Sequence, residues 1–423
     1  MRAPLFWKAR ALGLGALLSF FVPAAFAEES SRYATQGLCA GYPRVALTVA
    51  KGWCVGLVAD ARDGLQMPRR LLEIAPGRFW ITDMGNWEPK RGRLLELNTA
   101  GQAGDAGRIK VLARGLDRPH GLVQGPDGKV YVGEAGTIWR TPTAALARED
   151  LLRDLPADGA HPLKELAFGR KGNFYLNLGS ASDACRNERQ EQPLPCPETE
   201  GDRPRAAVYE ATLQGTEQKI QHLRPFATGL RNSLGLAVTL DASGTERVWQ
   251  AENSIDYTDA SAPAEELNEL ARGARYGWPY CVSDARGRSV LARGYENRGR
   301  CQRPAQHPPF LALPAHVAPL QLLAVPPAGE GQAARPWSGR LLSVWHGYRT
   351  QGHRVVGWRI GPDGRPTGAA ENIVSGWLGM PGLRPQGTPA GITVDRQGRL
   401  WIVEDRNRSV LVVAPETPKK SGS

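Results

Sequence analysis

What the chain lacks narrows its class first. After an apolar run at residues 11–22, no stretch is long and apolar enough to span a membrane. No block of five or more Lys/Arg occurs, so the polybasic signature of a nucleic-acid partner is missing. Long amphipathic helical patterns are scarce, which argues against a helical bundle. There is no Cys-x-x-Cys pair, EF-hand spacing, Walker A loop or Gly-x-Ser-x-Gly elbow. Those motifs would have pointed to zinc, calcium-sensor, nucleotide or serine-hydrolase chemistry.

What is present begins with a leader-like N-terminus. Arg2, Lys8 and Arg10 precede the apolar run, and Ala25-Phe26-Ala27 supplies the small residues a signal peptidase reads. The run is shorter than the roughly 20 residues of a spanning helix, so residues 1–27 read as a secretory signal peptide. Export, to a periplasmic location, is the expectation, and an exported protein is not expected to meet nucleic acid. Cleavage before Glu28 would remove three basic groups and lower the net charge from +11 to +8. That excess fits either a basic surface or a tunnel that holds a polyanion. Six cysteines remain, an even number that suits an oxidising compartment. Six allow 15 connectivities, and proximity favours Cys39 with Cys54, Cys185 with Cys196, and Cys281 with Cys301.

Gly (49) and Pro (33) are abundant, which favours many short strands joined by turns. One pattern recurs: a short apolar strand, a polar turn with Gly, and a second strand rich in aromatic and β-branched residues. The clearest copy is Leu122-Val123, Pro126-Asp127-Gly128, Val130-Tyr131-Val132. Copies start near residues 71, 122, 166, 236, 322 and 392, with separations of 51, 44, 70, 86 and 70. A four-stranded propeller blade takes about 40–50 residues, so the longer gaps fit a blade plus an inserted loop. The expectation is an all-β six-bladed propeller over residues 66–414, after an N-terminal extension at 28–65 that either closes the ring or stays loose, as does the chain after Val413, and before a disordered tail at 415–423. Insertions at about 180–205 and 253–310 each hold one of the local cysteine pairs, and such loops often build a site on one face.

Three clusters carry candidate chemistry. His161 precedes the third copy and has the residue type of a general base, although a lone histidine is more often a capping or surface group. Gly229-Leu230-Arg231-Asn232 offers an arginine that can grip a carboxylate or polarise a carbonyl, against the ordinary reading of a surface turn. The third cluster runs from Trp249 through Glu252-Asn253-Ser254 and Glu265-Glu266-Leu267-Asn268 to Tyr276-Gly277-Trp278-Pro279. Its acids, amides and carbonyls suit a hard cation such as Ca²⁺, or simply a solvated acidic loop.

In this order, the clusters resemble the soluble glucose/sorbosone dehydrogenase family, which uses pyrroloquinoline quinone (PQQ) and Ca²⁺ on a six-bladed propeller. The resemblance covers about residues 65–413 and is most specific from Gly229 to Pro279. It implies His161 as the general base and Arg231 beside the quinone carbonyls. It implies Asn232 as a cofactor contact and Asn253 and Glu265 as polar groups near cofactor and substrate. Backbone carbonyls of Ser254 and Ile255 fall where the family holds its active-site Ca²⁺, although glucose-specific members have Gly-Pro there. A PQQ-gripping lysine of the family falls near His346, with Arg349 or Arg354 as substitutes. Two further family arginines fall at Thr388 and Ala390, with Arg384 close by. Several missing anchors bring the chain nearer the sorbosone-like branch. The implied activity is oxidation of a sugar or sugar aldehyde, with an electron acceptor the sequence does not identify. A non-catalytic glycan- or protein-binding propeller, or a metal-dependent lactonase, are the competing readings.

Overall fold

The computed structural model describes residues 33–100, 108–170, 172–214, 219–295, 301, 306–347, 349–377 and 387–416. The expected signal peptide and the tail from residue 417 lie outside the described residues. Among these residues the architecture is all-β, with two single-turn 3₁₀ helices at Ala61–Asp63 and Pro197–Thr199.

Six antiparallel sheets form six blades. Their innermost strands are Pro68–Ala75, Leu122–Gln124, Leu166–Phe168, Gly235–Leu240, Pro319–Val325 and Pro389–Val394. Each touches its neighbours around the ring. These strands coincide with the first halves of the six sequence copies, so the repeat is the inner hairpin of each blade. The turn glycines Gly77, Gly128, Gly172, Gly244, Gly339 and Gly398 all take φ between +68° and +83°. That conformation is costly for any residue with a Cβ, which explains why the copies share a glycine and little else.

Apolar burial is organised between blades. One cluster joins Trp80 and Leu94 to Val130 and Trp139, and another joins Tyr131 and Ile138 to Leu176 and Tyr209. Four more continue the series around the circle. A blade alone would leave both of its faces wet, so stability is a property of the stack.

The last blade closes the ring with chain from the N-terminal side. Its sheet order is Pro389–Val394, Leu400–Glu404, Ser409–Pro415 and then Trp53–Ala59. Val413 pairs with Val55, and Phe79 of the first blade meets Trp401 of the last at 4.3 Å between ring centroids. The stretch before residue 66, read from sequence as an extension, therefore supplies a propeller strand. All three proximity pairs of cysteines are disulfides. Cys39–Cys54 staples the closing strand to Thr35–Cys39 across a separation of 15 residues. Loop-closure entropy for such a loop is worth about 3 kcal/mol. Replacing both cysteines by Ala is expected to lower unfolding stability by about that amount, read as a fall in urea midpoint.

Arg70 plugs the tunnel on the ring axis, and its side chain is 1% exposed. Its Nε donates to Glu165 at 2.7 Å, and Nη2 pairs with the same carboxylate. Nη1 donates to the Ala390 carbonyl at 2.6 Å, and Nη2 donates to the carbonyls of Leu320 and, at 3.4 Å, Leu234. His120 Nε2 lies 3.6 Å from Glu165. One guanidinium and one carboxylate thus meet the inner edge of every blade.

The two insertions pack together as one lobe over the rim. Cys185, Cys196, Ile255, Trp278, Tyr280 and Tyr295 share an apolar cluster. Tyr280 Oη accepts the Cys196 N–H at 2.8 Å, which ties the two stapled loops.

Candidate active site

At the rim, the tunnel opens into a cavity of about 730 Å³. That size suits a drug-sized ligand or cofactor. His161, Arg231, Asn232, Asn253, Glu265, His346 and Arg349 all line it, although they come from four segments of the chain. Arg384 lies outside the described residues.

His161 sits at the entry to the third blade, in a space that Gly179 leaves open. A Cβ at position 179 would stand 2.6 Å from His161 Cβ. Nδ1 of His161 is 2.8 Å from Ser180 Oγ and 3.1 Å from Ser180 O. Ser180 Oγ gives its own hydrogen to Ser182 O at 2.6 Å. The Nδ1 position must therefore donate, which leaves the Nε2 lone pair as the acceptor. Burial first, then the charge of Arg231, pull the imidazole down to about 3. His161 is a neutral base with a fixed tautomer.

Arg231 is 4% exposed and clamps the two insertions. Its Nε donates to Asp183 O at 3.1 Å, and Nη1 donates to Asn253 O at 2.9 Å. Nη2 meets Asp183 Oδ1 at 2.7 Å and Asp256 Oδ2 at 2.9 Å. Of the five guanidinium hydrogens, one on Nη1 is left for a bound group. Sequence reasoning missed both aspartates, because their meeting depends on two loops folding against each other.

Asn253 spans two blades, its amide donating to Asn232 O at 3.1 Å and Pro319 O at 3.2 Å. Its side-chain oxygen is not used in either bond. Glu265 accepts the backbone N–H of Ser254 at 2.5 Å. Burial raises the Glu265 carboxyl to about 8, so it carries a proton at neutral pH. Glu252 behind it is also raised to about 8, by burial and by Glu266. Glu252 receives the backbone N–H of Arg231 at 2.6 Å, which fixes the Arg231-Asn232 turn.

His346 lies opposite, with Nε2 between Asp405 Oδ1 at 3.0 Å and Thr388 Oγ1 at 3.2 Å. Asp405 also pairs with Arg69. Burial opposes ionisation of Asp405, but His346 and Arg69 hold its carboxyl well below the usual range. Thr388 is thus a working part of this cluster, and Ala390 lends its carbonyl to Arg70. Arg69, Trp87, Asp405 and Arg406 line the cavity and were not singled out from sequence. A signal existed for two of them: Asp405 and Arg406 directly follow the strand Leu400–Glu404, where site residues collect. Arg354, a candidate substitute for a family lysine, bonds to the carbonyls of Gly352 and Thr350 and does not line the cavity.

Ser254 and Ile255 do not line the cavity either. The Ile255 side chain packs in the loop lobe, and its carbonyl accepts the Tyr257 N–H at 3.0 Å.

Cavity, axial tunnel and inserted rim loops define a propeller with a hollow mouth on one face. Residues 47–416 match the TrAA12-like family, and the chain belongs to it. Among solved structures, the calcium structure of Trichoderma reesei Carbohydrate-Active Enzymes Family AA12 is 20% identical, with a TM-score of 0.66, covering 90% of this chain and 100% of that one. The holo PQQ domain of pyranose dehydrogenase from Coprinopsis cinerea is 22% identical, with a TM-score of 0.66 and coverage of 89% and 99%. The apo soluble aldose sugar dehydrogenase of Escherichia coli is 15% identical, with a TM-score of 0.57 and coverage of 86% and 100%. At these identities the likeness to the structures is one of fold. No curated protein matches the chain.

Proposed function

We propose that this protein oxidises a sugar or sugar aldehyde, of aldose or sorbosone type, with PQQ, in the periplasm. The observation that carries the reading is His161: a buried, neutral imidazole whose free Nε2 shares one cavity with Arg231, Asn232, Asn253 and Glu265. Family membership and the PQQ-domain neighbour support it, and three disulfides support an oxidising compartment.

The cavity suits PQQ, which carries three carboxylates. Arg69, Arg231, Arg349 and Arg406 line it, against Asp256, ionised Asp405 and a protonated Glu265. Arg349 and Arg406 at the rim and the spare Nη1 hydrogen of Arg231 would hold the carboxylates and carbonyls. When bound, PQQ supplies the electrophilic quinone that accepts hydride from the sugar carbon. His161 Nε2 takes the proton of the sugar hydroxyl as the carbonyl forms. Protonated Glu265 and the Asn253 amide oxygen are placed to orient sugar hydroxyls as donor and acceptor. For Ca²⁺, Ser254 and Ile255 are not among the cavity-lining residues and the Ile255 carbonyl already accepts the Tyr257 N–H, and no step here uses a cation.

Titrating PQQ into the apoprotein, with and without Ca²⁺, tests the reading. At 100-fold over Kd, binding adds about 2.7 kcal/mol of stability, a clear rise in melting temperature. A dye-linked sugar panel then reports turnover. Absence of any PQQ-dependent change in melting or absorbance overturns the proposal.

A further inference from the structure

A second hollow of about 560 Å³ lies beside the cavity, between the first and last blades. Its charged lining is entirely basic: Lys90, Arg91, Arg93, Arg114 and Arg408, with no carboxylate among the lining residues. Arg93 is neutralised by Asp83 at 2.6 Å, and Arg91 leans on exposed Glu88 at 3.3 Å. Lys90 and Arg114 are exposed and carry the groove's outward positive charge.

The groove shares a wall with the cavity. Three chain segments contribute to both: Gln66 lines the groove and Met67 the cavity, Asn86 the groove and Trp87 the cavity, Arg408 the groove and Arg406 the cavity. Trp87 stands 55% exposed on that wall. A basic surface is unremarkable on a chain of this charge. One whose wall is built from the same chain segments as the proposed cofactor cavity has a specific use.

We propose that this groove docks an acidic redox protein that reoxidises the cofactor, an inference that rests on the function proposed above. Each sugar oxidised leaves two electrons in the cavity. Two molecules of a one-electron oxidant remove them, one each, and the two protons pass to solvent. Such encounters are brief and small in area, and they depend on opposite charge to raise the association rate. The oxidant is therefore acidic on its docking face. An anionic glycan would also be attracted, but it would have no reason to sit against the cavity wall.

The test uses the PQQ-loaded protein, reduced anaerobically with sugar and mixed with cytochrome c in its native basic form or its succinylated acidic form. Wild type is expected to reduce the acidic form faster at low salt, with the advantage shrinking as salt rises. Lys90→Glu with Arg114→Glu should slow the acidic form about tenfold and leave the basic form no slower. Binding of ferrocyanide to the apoprotein should weaken in the same variant, a readout independent of turnover. Lys90→Gln with Arg114→Gln should give an intermediate effect and covers any folding loss in the double Glu variant. If sugar fails to reduce the loaded wild type, the proposed function falls, whatever the groove does. If reduction is normal and the acidic cytochrome reacts equally with wild type and both variants, the groove assignment falls. It also falls if polygalacturonate binds in a Lys90- and Arg114-dependent way while the cytochrome rates do not change.

Discussion

His161→Ala is expected to lower PQQ-dependent sugar oxidation by about 10²- to 10⁴-fold, the usual worth of a positioned general base. The variant should keep the PQQ-dependent rise in melting temperature, because His161 serves the substrate proton. Added imidazole should restore part of the rate. The pH profile supplies a second check. His161 is held down to about 3, so it is already a free base across the working range. Activity should not fall on the acid side until pH approaches about 3 to 4. Glu265 and Glu252 are each raised to about 8, chiefly by burial. If protonated Glu265 orients the sugar, the rate falls as pH rises through about 8. The same shift makes folding depend on pH. A carboxyl whose folded value is raised binds its proton more tightly in the folded chain. Its stabilising contribution is complete below the ordinary carboxylate range and is lost progressively up to about 8. A profile with an acid limb near 6.5 and no effect of His161→Ala would remove His161 from the chemistry.

Arg70→Met should be strongly destabilising, with about 3–5 kcal/mol from the orphaned Glu165 carboxylate alone. It leaves the Glu165 carboxylate buried without its cation and takes donors from the carbonyls of Leu234, Leu320 and Ala390. Each carbonyl left without a donor adds about 1–3 kcal/mol of desolvation cost. Pairing Arg70→Met with Glu165→Leu should recover the charge penalty but not the carbonyl penalty. The double variant is therefore expected to lie between wild type and Arg70→Met in urea midpoint. A single variant within about 0.5 kcal/mol of wild type would show that the blades hold together without their axial pair.

The ring was legible because its repeat is local. A hairpin with a left-handed glycine needs few neighbours to declare itself, and six such hairpins implied stacking. That residues 28–65 could close the ring was legible, but the closing strand Trp53–Ala59 itself was not, since it carries no copy of the repeat. Its pairing is with Ser409–Pro415, at the other end of the chain. The site divided the same way. His161, Arg231, Asn232, Asn253 and Glu265 could be named from an ordered set of motifs, and the cavity gathers them. Arg69 could not, because an Arg-Arg pair opening a strand looks like surface until ring closure sets it against Asp405. Nor does a motif show that Arg231 spends most of its hydrogens on Asp183 and Asp256.

The closing strand also orders the chain's assembly in time. Ala59 pairs with Val410, so a strand made among the first can find its partner only when the last blade has been made. Until then its edge and the faces of the two terminal blades stay open to other chains. Five blades can stack as they emerge, but the pairing that closes the ring spans nearly the whole chain and must come last. Folding should thus be limited by one late event, and truncation by even the last strand should leave a soluble-looking sequence that cannot finish its ring.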